Sequence, residues 1–185
     1  VVPKPARTGV HNVVVNLGEP ASFVNGVLQA KPDRAAVSAG RFLVNSTIGL
    51  FGLFDVASKI GLDEKQEDFN QTMAVWGVGD GPFLMVPGRG PTTVRGTAGA
   101  FVDELYFPLG LLNTPQTLAR LLIGALDSRE QLMAVERMLE DSLDPYAFIK
   151  ESYFQRQLFK IYDGNPPARE EPEIDEDFLD FLDEF

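Results

Sequence analysis

The sequence predicts an all-α fold in which short amphipathic helices are arranged with one long helix. Three observations carry this. Apolar residues recur at three- and four-residue spacing from Val10 onward, proline and glycine divide the chain into helix-length pieces, and no segment of strand length alternates apolar with polar residues.

Taken in order, Val2-Pro3-Lys4-Pro5 reads as extended, because each proline pushes its predecessor out of the helical region. Thr8 can cap a first helix through Val10, Val13, Val14 and Leu17, which Gly18-Glu19-Pro20 ends. Ala21 to Gln29 is a second short helix, and Arg34 to Leu50 a longer one through Val37, Arg41, Phe42, Val44 and Ile48. Phe54 to Ile60 is short and closed by Gly61, and Asp68 to Val75 places Phe69, Thr72, Met73 and Trp76 on one side. Gly77 to Gly90 is a loop or a re-entrant excursion. Pro91 then occupies the first turn of a helix from Thr92 to Leu105. Thr114-Pro115 opens the longest helix, whose stripe is Leu121, Ala125, Ser128, Leu132, Val135 and Leu139. Asp144-Pro145 opens the last, which runs to about Tyr162.

Gly164-Asn165-Pro166-Pro167 ends the folded body, giving one domain over 1–162 and a tail over 163–185. From Asp163 onward ten residues are acidic and one, Arg169, is basic, so most of the net charge of −11 sits in the tail. Neither part offers the basic stripe that nucleic acid requires. Ile174, Phe178, Leu179 and Leu182 recur at helical spacing among the acids, a short amphipathic segment that orders only against a partner.

The chain has 185 residues, 44% of them hydrophobic, and no cysteine, which excludes disulfides and thiol chemistry. No run reaches the roughly 18 apolar residues of a spanning helix. Yet Ile48, Leu50, Phe51, Leu53 and Phe54 point around most of a helical cylinder. More than one face of that segment wants apolar surroundings, which either a large core or a membrane supplies.

Candidate chemistry is sparse. His11, the one histidine, has no accompanying nucleophile elbow and reads as structural or surface. Gly77-Val78-Gly79-Asp80-Gly81 has the wrong spacing for a nucleotide loop and reads as tight-turn glycines or a close backbone approach to a lipid headgroup. Asp63, Glu64, Glu67 and Asp68, interleaved with Lys65 and Gln66, read as a solvated face and not a metal site. Arg41 and Asp55 interrupt apolar helices; each is a buried ion-pair partner or a polar lining residue. The aromatic set Tyr146, Phe148, Tyr153, Phe154, Phe159 and Tyr162 reads first as core, and with Lys150, Arg156 and Lys160 nearby its tyrosines also suit a membrane-water boundary.

Several ordered blocks resemble the MlaA/VacJ family of bacterial outer-membrane lipoproteins. They are Val2 to Gly9 (VPKPARTG), Asn16 to Pro20 (NLGEP), Arg41 to Gly49 (RFLVNSTIG), Gly52 to Ala57 (GLFDVA), Glu67 to Thr72 (EDFNQT), Trp76 to Pro82 (WGVGDGP), Leu84 to Pro87, Asp144 to Tyr146 (DPY) and Tyr153 to Arg156 (YFQR). Together they span about residues 2–160 in the family's order. The resemblance implies a compact ring-like protein embedded in one leaflet, the inner leaflet of the outer membrane, anchored through a lipidated cysteine upstream of Val1. It implies an amphipathic channel that takes mislocalised phospholipid from the outer leaflet to a periplasmic lipid-carrier protein, beside a trimeric outer-membrane porin. No bond is made or broken, so no catalytic residue, cofactor or metal is expected. Membrane-facing or channel residues are then expected among Ile48, Leu50, Phe51, Leu53 and Phe54. A channel rim is expected from Trp76, Gly77, Val78, Gly79, Gly81 and Pro82, and carrier contacts from Ile174, Phe178, Leu179 and Leu182. The rival readings are a lipid hydrolase and a soluble helical protein-interaction scaffold using the acidic tail.

Overall fold

The computed structural model describes residues 4–87, 90–106, 108–115, 117–118, 139 and 142–168. Helix α1 (Lys4–Leu28) is continuous over 25 residues. The extended start is therefore overturned at Lys4 and Pro5, as is the break at Gly18-Glu19-Pro20. Pro5 lies in the first turn, where a missing N–H is no loss. Pro20 costs the helix one backbone bond, but side chains on both sides of it are held across to the neighbouring helix. Asn16 Nδ2 donates to Ser46 Oγ at 2.9 Å, and the Ser22 and Ser38 hydroxyls share a hydrogen bond of 2.9 Å.

That neighbour is α2 (Pro32–Thr47), which starts with proline in its first turn. A Cβ on Gly26 would stand 2.9 Å from the Ala35 nitrogen, so glycine is what lets the two helices come this close. The helix ends before the expected Leu50, because Leu50 and Phe51 turn into the left-handed region with φ of 52° and 58°.

Helix α3 (Val56–Lys59) is capped by Asp55 and α4 (Phe69–Val75) by Asp68, whose side chain accepts from Gln71 N. The chain then forms an antiparallel hairpin of β1 (Phe83–Val86) and β2 (Gly90–Thr93), pairing Phe83 with Thr93 and Met85 with Pro91. Two four-residue strands are too short to show an alternating pattern, so the purely all-α expectation is corrected to a mainly helical fold with one small hairpin. Pro91 lies in a strand and does not open a helix. Its missing N–H is tolerable because β2 pairs on one side only. Helix α5 (Val94–Asp103) starts instead at Thr93, whose hydroxyl accepts from Gly96 N. A short 3-10 turn follows at Leu109–Leu111. Helix α6 (Pro145–Ile161) opens as expected, with Asp144 accepting from Ala147 N at 3.0 Å.

The expected longest helix from Thr114 lies almost entirely outside the described residues, and the tail segment Ile174, Phe178, Leu179 and Leu182 wholly so. The long helix that is described is α1. Just past α6, Asp163 is tied back to the α1–α2 turn by Lys31 Nζ at 2.8 Å and Arg34 Nη2 at 3.2 Å.

The distribution of polarity is inverted. Among the described residues the buried apolar side chains are Ala21, Ala35 and Ala57, whereas the largest fully buried ones are Arg41, Gln71, Glu19, Asn25, Thr72 and Thr93. Large apolar side chains lie outside, including Val27, Leu43, Ile48, Phe51, Ile60, Phe101 and Leu105. The aromatic set is corrected accordingly. Tyr146, Tyr153 and Phe154 pack on Phe83 with ring centroids 5.8, 5.7 and 6.0 Å away and Phe148 is half-buried, but Tyr146 is still largely exposed, as are Phe159 and Tyr162. Among the described residues, no helix is long and apolar enough to cross a membrane.

Candidate functional site

Polar residues of α1 recur at Asn16, Glu19, Ser22 and Asn25, and this stripe organises the interior. Glu19 accepts from Nε of Arg41, which is 1% exposed. Arg41 Nη1 donates to Ser58 Oγ at 2.9 Å and to the Leu62 carbonyl at 2.7 Å, and Nη2 reaches Asp55 Oδ2 at 3.4 Å. Arg41 and Asp55 are thus ion-pair partners, the first of the two roles the sequence leaves open. Burial pushes the Glu19 carboxyl above its ordinary range, and Arg41 pulls it back only in part. Burial acts the same way on Asp55, but hydrogen bonds from Ser58 and Asn45 outweigh it and hold that carboxyl below its usual value.

The same network holds a knuckle between α2 and α3. Asn45 Oδ1 accepts from Val56 N and Ala57 N, both at 2.9 Å, and the Asn45 carbonyl accepts from Gly52 N at 2.8 Å. Gly52, with φ of 89°, lies directly over Asn16, where a Cβ would come within 2.6 Å of that side chain. Folded back this way, the chain turns Ile48, Leu50, Phe51, Leu53 and Phe54 to the outside, Phe51 being 83% exposed. All five expected apolar residues therefore lie exposed on one turn.

The glycine loop is placed differently. Arg95, itself buried, donates to the Val78 carbonyl at 2.7 Å, to Asp80 Oδ1 at 2.6 Å and to Asn70 Oδ1 at 2.8 Å, which pins the loop against α4. Gly77 and Gly81 take φ of 84° and 69°, as tight turns require. Trp76 and Val78 are exposed, and the Trp76 indole donates to the Leu28 carbonyl at 3.2 Å. None of Trp76, Gly77, Val78, Gly79, Gly81 or Pro82 lines the cavity described next.

That cavity, of about 340 Å³, opens between α1, α4, α5 and α6. Ala21 and Ser22 line it from α1, Asn70 from α4, Ala100 and Asp103 from α5, and Tyr153, Gln157 and Lys160 from α6, with Glu67, Asp68 and Glu104 from the adjoining turns. Asp103 Oδ1 accepts from Asn25 Nδ2 at 2.8 Å and Oδ2 from Phe69 N at 3.0 Å. Burial pushes its carboxyl up to about 6, against the pull of those two donors. The solvated face expected at residues 63–68 is corrected at its end. Asp63 and Glu64 are exposed, but Glu67 is buried, with Lys31 Nζ 3.5 Å from its Oε2, and Asp68 caps α4. Sequence reading took Glu67-Asp68 for solvated residues and left Asp103-Glu104 unread, because the two pairs stand far apart along the chain. The readable signal was the polar spacing in α1.

The Asp103 carboxyl makes stability depend on pH. With its folded value raised, this group stabilises the fold most below about 3.8, and that contribution is lost as pH rises through about 6. Thermal unfolding of the wild type and Asp103→Asn in detergent from pH 4.5 to 7.5 tests this. The difference between them should move in favour of the variant as pH rises; a constant difference would refute the assignment.

The chain is similar over most of its length to proteins of one family. A family model described as "MlaA lipoprotein" matches residues 1–160. The "Intermembrane phospholipid transport system lipoprotein MlaA" of Shigella flexneri is 35% identical over 174 residues, covering 92% of this chain and 69% of the relative. The protein of the same name from Escherichia coli K12 is 34% identical with the same coverage. A chain solved in work on the "structural basis for maintenance of bacterial outer membrane lipid asymmetry" superposes with a TM-score of 0.80 at 38% identity, covering 86% of this chain and 82% of that one.

Proposed function

The chain belongs to the MlaA lipoprotein family, and from that premise we propose that it transports phospholipid between membranes, removing mislocalised phospholipid from the outer leaflet of the outer membrane. The observation that carries this reading is the inverted polarity. An apolar exterior around a polar interior suits a protein whose surroundings are acyl chains and whose inside receives headgroups. In this reading the helices form a ring embedded in the inner leaflet, held by a lipidated cysteine upstream of Val1. Ile48, Leu50, Phe51, Leu53 and Phe54 face the acyl layer. The cavity beside Asp103 is part of an amphipathic channel.

The physical task is to keep a lipid's tails and headgroup both satisfied while it moves. Each CH₂ exposed to water costs about 0.8 kcal/mol, and a headgroup in hydrocarbon loses its hydrogen bonds. A passage with one apolar and one polar wall lowers both costs, with no covalent step. The lipid then passes to a periplasmic carrier, with a trimeric porin holding the assembly in place.

The test is surface-exposed phospholipid in cells lacking the gene, with and without a restored copy. The reading expects a rise on deletion that the copy reverses. No change in cells shown to carry the protein in the outer membrane would overturn it.

A further inference from the structure

Resting on that reading, we propose that α6 is a hinged wall of the cavity, latched at its C-terminal end through Asp163, which swings out to let phospholipid pass sideways. The space of about 340 Å³ lies at the small end of the range of small-molecule sites, roughly 300–1,000 Å³. A phospholipid with two acyl chains is larger than the ligands such sites enclose. The closed cavity therefore takes only part of one, and passage requires a wall to move.

Of the four helices around the cavity, three are built into the interior. Helix α1 buries Asn16, Glu19, Ser22 and Asn25, and α4 buries Asn70, Gln71 and Thr72. Helix α5 buries Arg95 and Gly99, and a Cβ on Gly99 would stand 2.6 Å from Asn70 N, so α4 and α5 meet backbone to backbone. Among the described residues α6 buries no side chain. Yet Tyr153, Gln157 and Lys160, which share one face of it, close the cavity. Of these walls α6 is the one that can leave without uncovering a buried residue of its own.

Its two ends are held by different forces. Toward the N-terminal end, Tyr146, Tyr153 and Phe154 pack around Phe83 of the hairpin. Apolar attraction has no direction, so this contact survives a rotation and serves as the pivot. Toward the C-terminal end the contacts are polar. Asn70 Nδ2 donates to Gln157 Oε1 at 2.9 Å, and Lys160 Nζ stands 3.4 Å from Asp68 Oδ2. Beyond them Asp163 meets Lys31 and Arg34, with its own side chain 31% exposed. Water and salt compete for ion pairs in such a place, so the latch opens at small cost.

The chain has no cysteine, so introduced pairs carry labels and linkers without interference. Spin labels at Ala36→Cys on α2 and Arg156→Cys on α6, both exposed positions, report the separation by double electron–electron resonance on the full chain in detergent. Asp163→Asn removes the charge and keeps a residue that tolerates the left-handed backbone there. It should raise the longer-distance population about fivefold, the worth of two partly exposed ion pairs. Added salt should move the chain with Asp163 intact the same way. A separation that neither change alters would overturn the hinge.

In a second arm, Arg34→Cys/Asp163→Cys leaves Lys31 beside Glu67 and replaces the latch by a short bis-methanethiosulfonate linker. Uptake of fluorescent phosphatidylethanolamine from mixed micelles should be lost on linking and restored by dithiothreitol. Uptake that linking does not change would overturn α6 as the route and leave phospholipid transport standing. No uptake by the wild type would overturn the transport reading and the route together.

Discussion

Replacing Leu50 and Phe51 with aspartate should leave the protein folded and abolish its affinity for lipid vesicles. Both residues hold left-handed backbone, with φ of 52° and 58°. That conformation costs a large L side chain about 1–2 kcal/mol, and aspartate adopts it more readily. The double variant therefore relaxes the backbone, and it removes little packing, since Leu50 is 60% and Phe51 83% exposed. A charge placed among acyl chains costs about 2.5–3.5 kcal/mol at the membrane centre. Two of them should lower vesicle partition by more than about a thousandfold. Flotation of the 185-residue chain with phospholipid vesicles reads the partition, and thermal unfolding in detergent reads the fold. Unchanged flotation of a folded variant would show that the knuckle does not face lipid.

Arg41→Met should cost about 3–5 kcal/mol of stability, because it leaves Glu19 buried without its cation and Asp55 without its distant partner. Methionine fills most of the arginine stem, so the loss is electrostatic and not a cavity effect. The double variant Arg41→Met/Glu19→Leu removes both charges and should recover most of that stability. Denaturation in detergent of the two single variants and the double one completes the cycle. If the double variant is as unstable as the sum of the singles, the pair is not what holds α1 to α2. The knuckle should also loosen in Arg41→Met, since Asp55 caps α3 immediately beyond it.

Capping chemistry was legible where it is local. Asp144 announces α6, and that cap is made by the expected side chain, whereas Asp68, read as part of a solvated acidic face, caps α4. The α1 reading failed at Pro20 for a tertiary reason. Nothing near Gly18-Glu19-Pro20 in sequence shows that Glu19 will meet Arg41 or Ser22 meet Ser38. The apolar spacing of Val10, Val13 and Val14 was real, but an apolar stripe does not say whether its face turns to a core or to surroundings of another kind. The apolar excess of residues 48–54 was legible, but the knuckle was not, because helical spacing runs on to Leu50 where the chain takes left-handed backbone instead. Nor was the cavity wall legible. Asp103 lies in an apolar run, AFVDEL, and becomes a site residue only when Asn25 and the start of α4 close on it.

A polar interior also shapes how stability responds to temperature. Exposing apolar surface raises the heat capacity of a chain and exposing polar surface lowers it. When α1 and α2 separate, what they uncover is chiefly serine, asparagine, glutamate and arginine. This seam therefore adds little to the heat-capacity change of unfolding, unlike a seam built on an oily core. Cooling does not weaken the α1–α2 seam as it would a hydrophobic one.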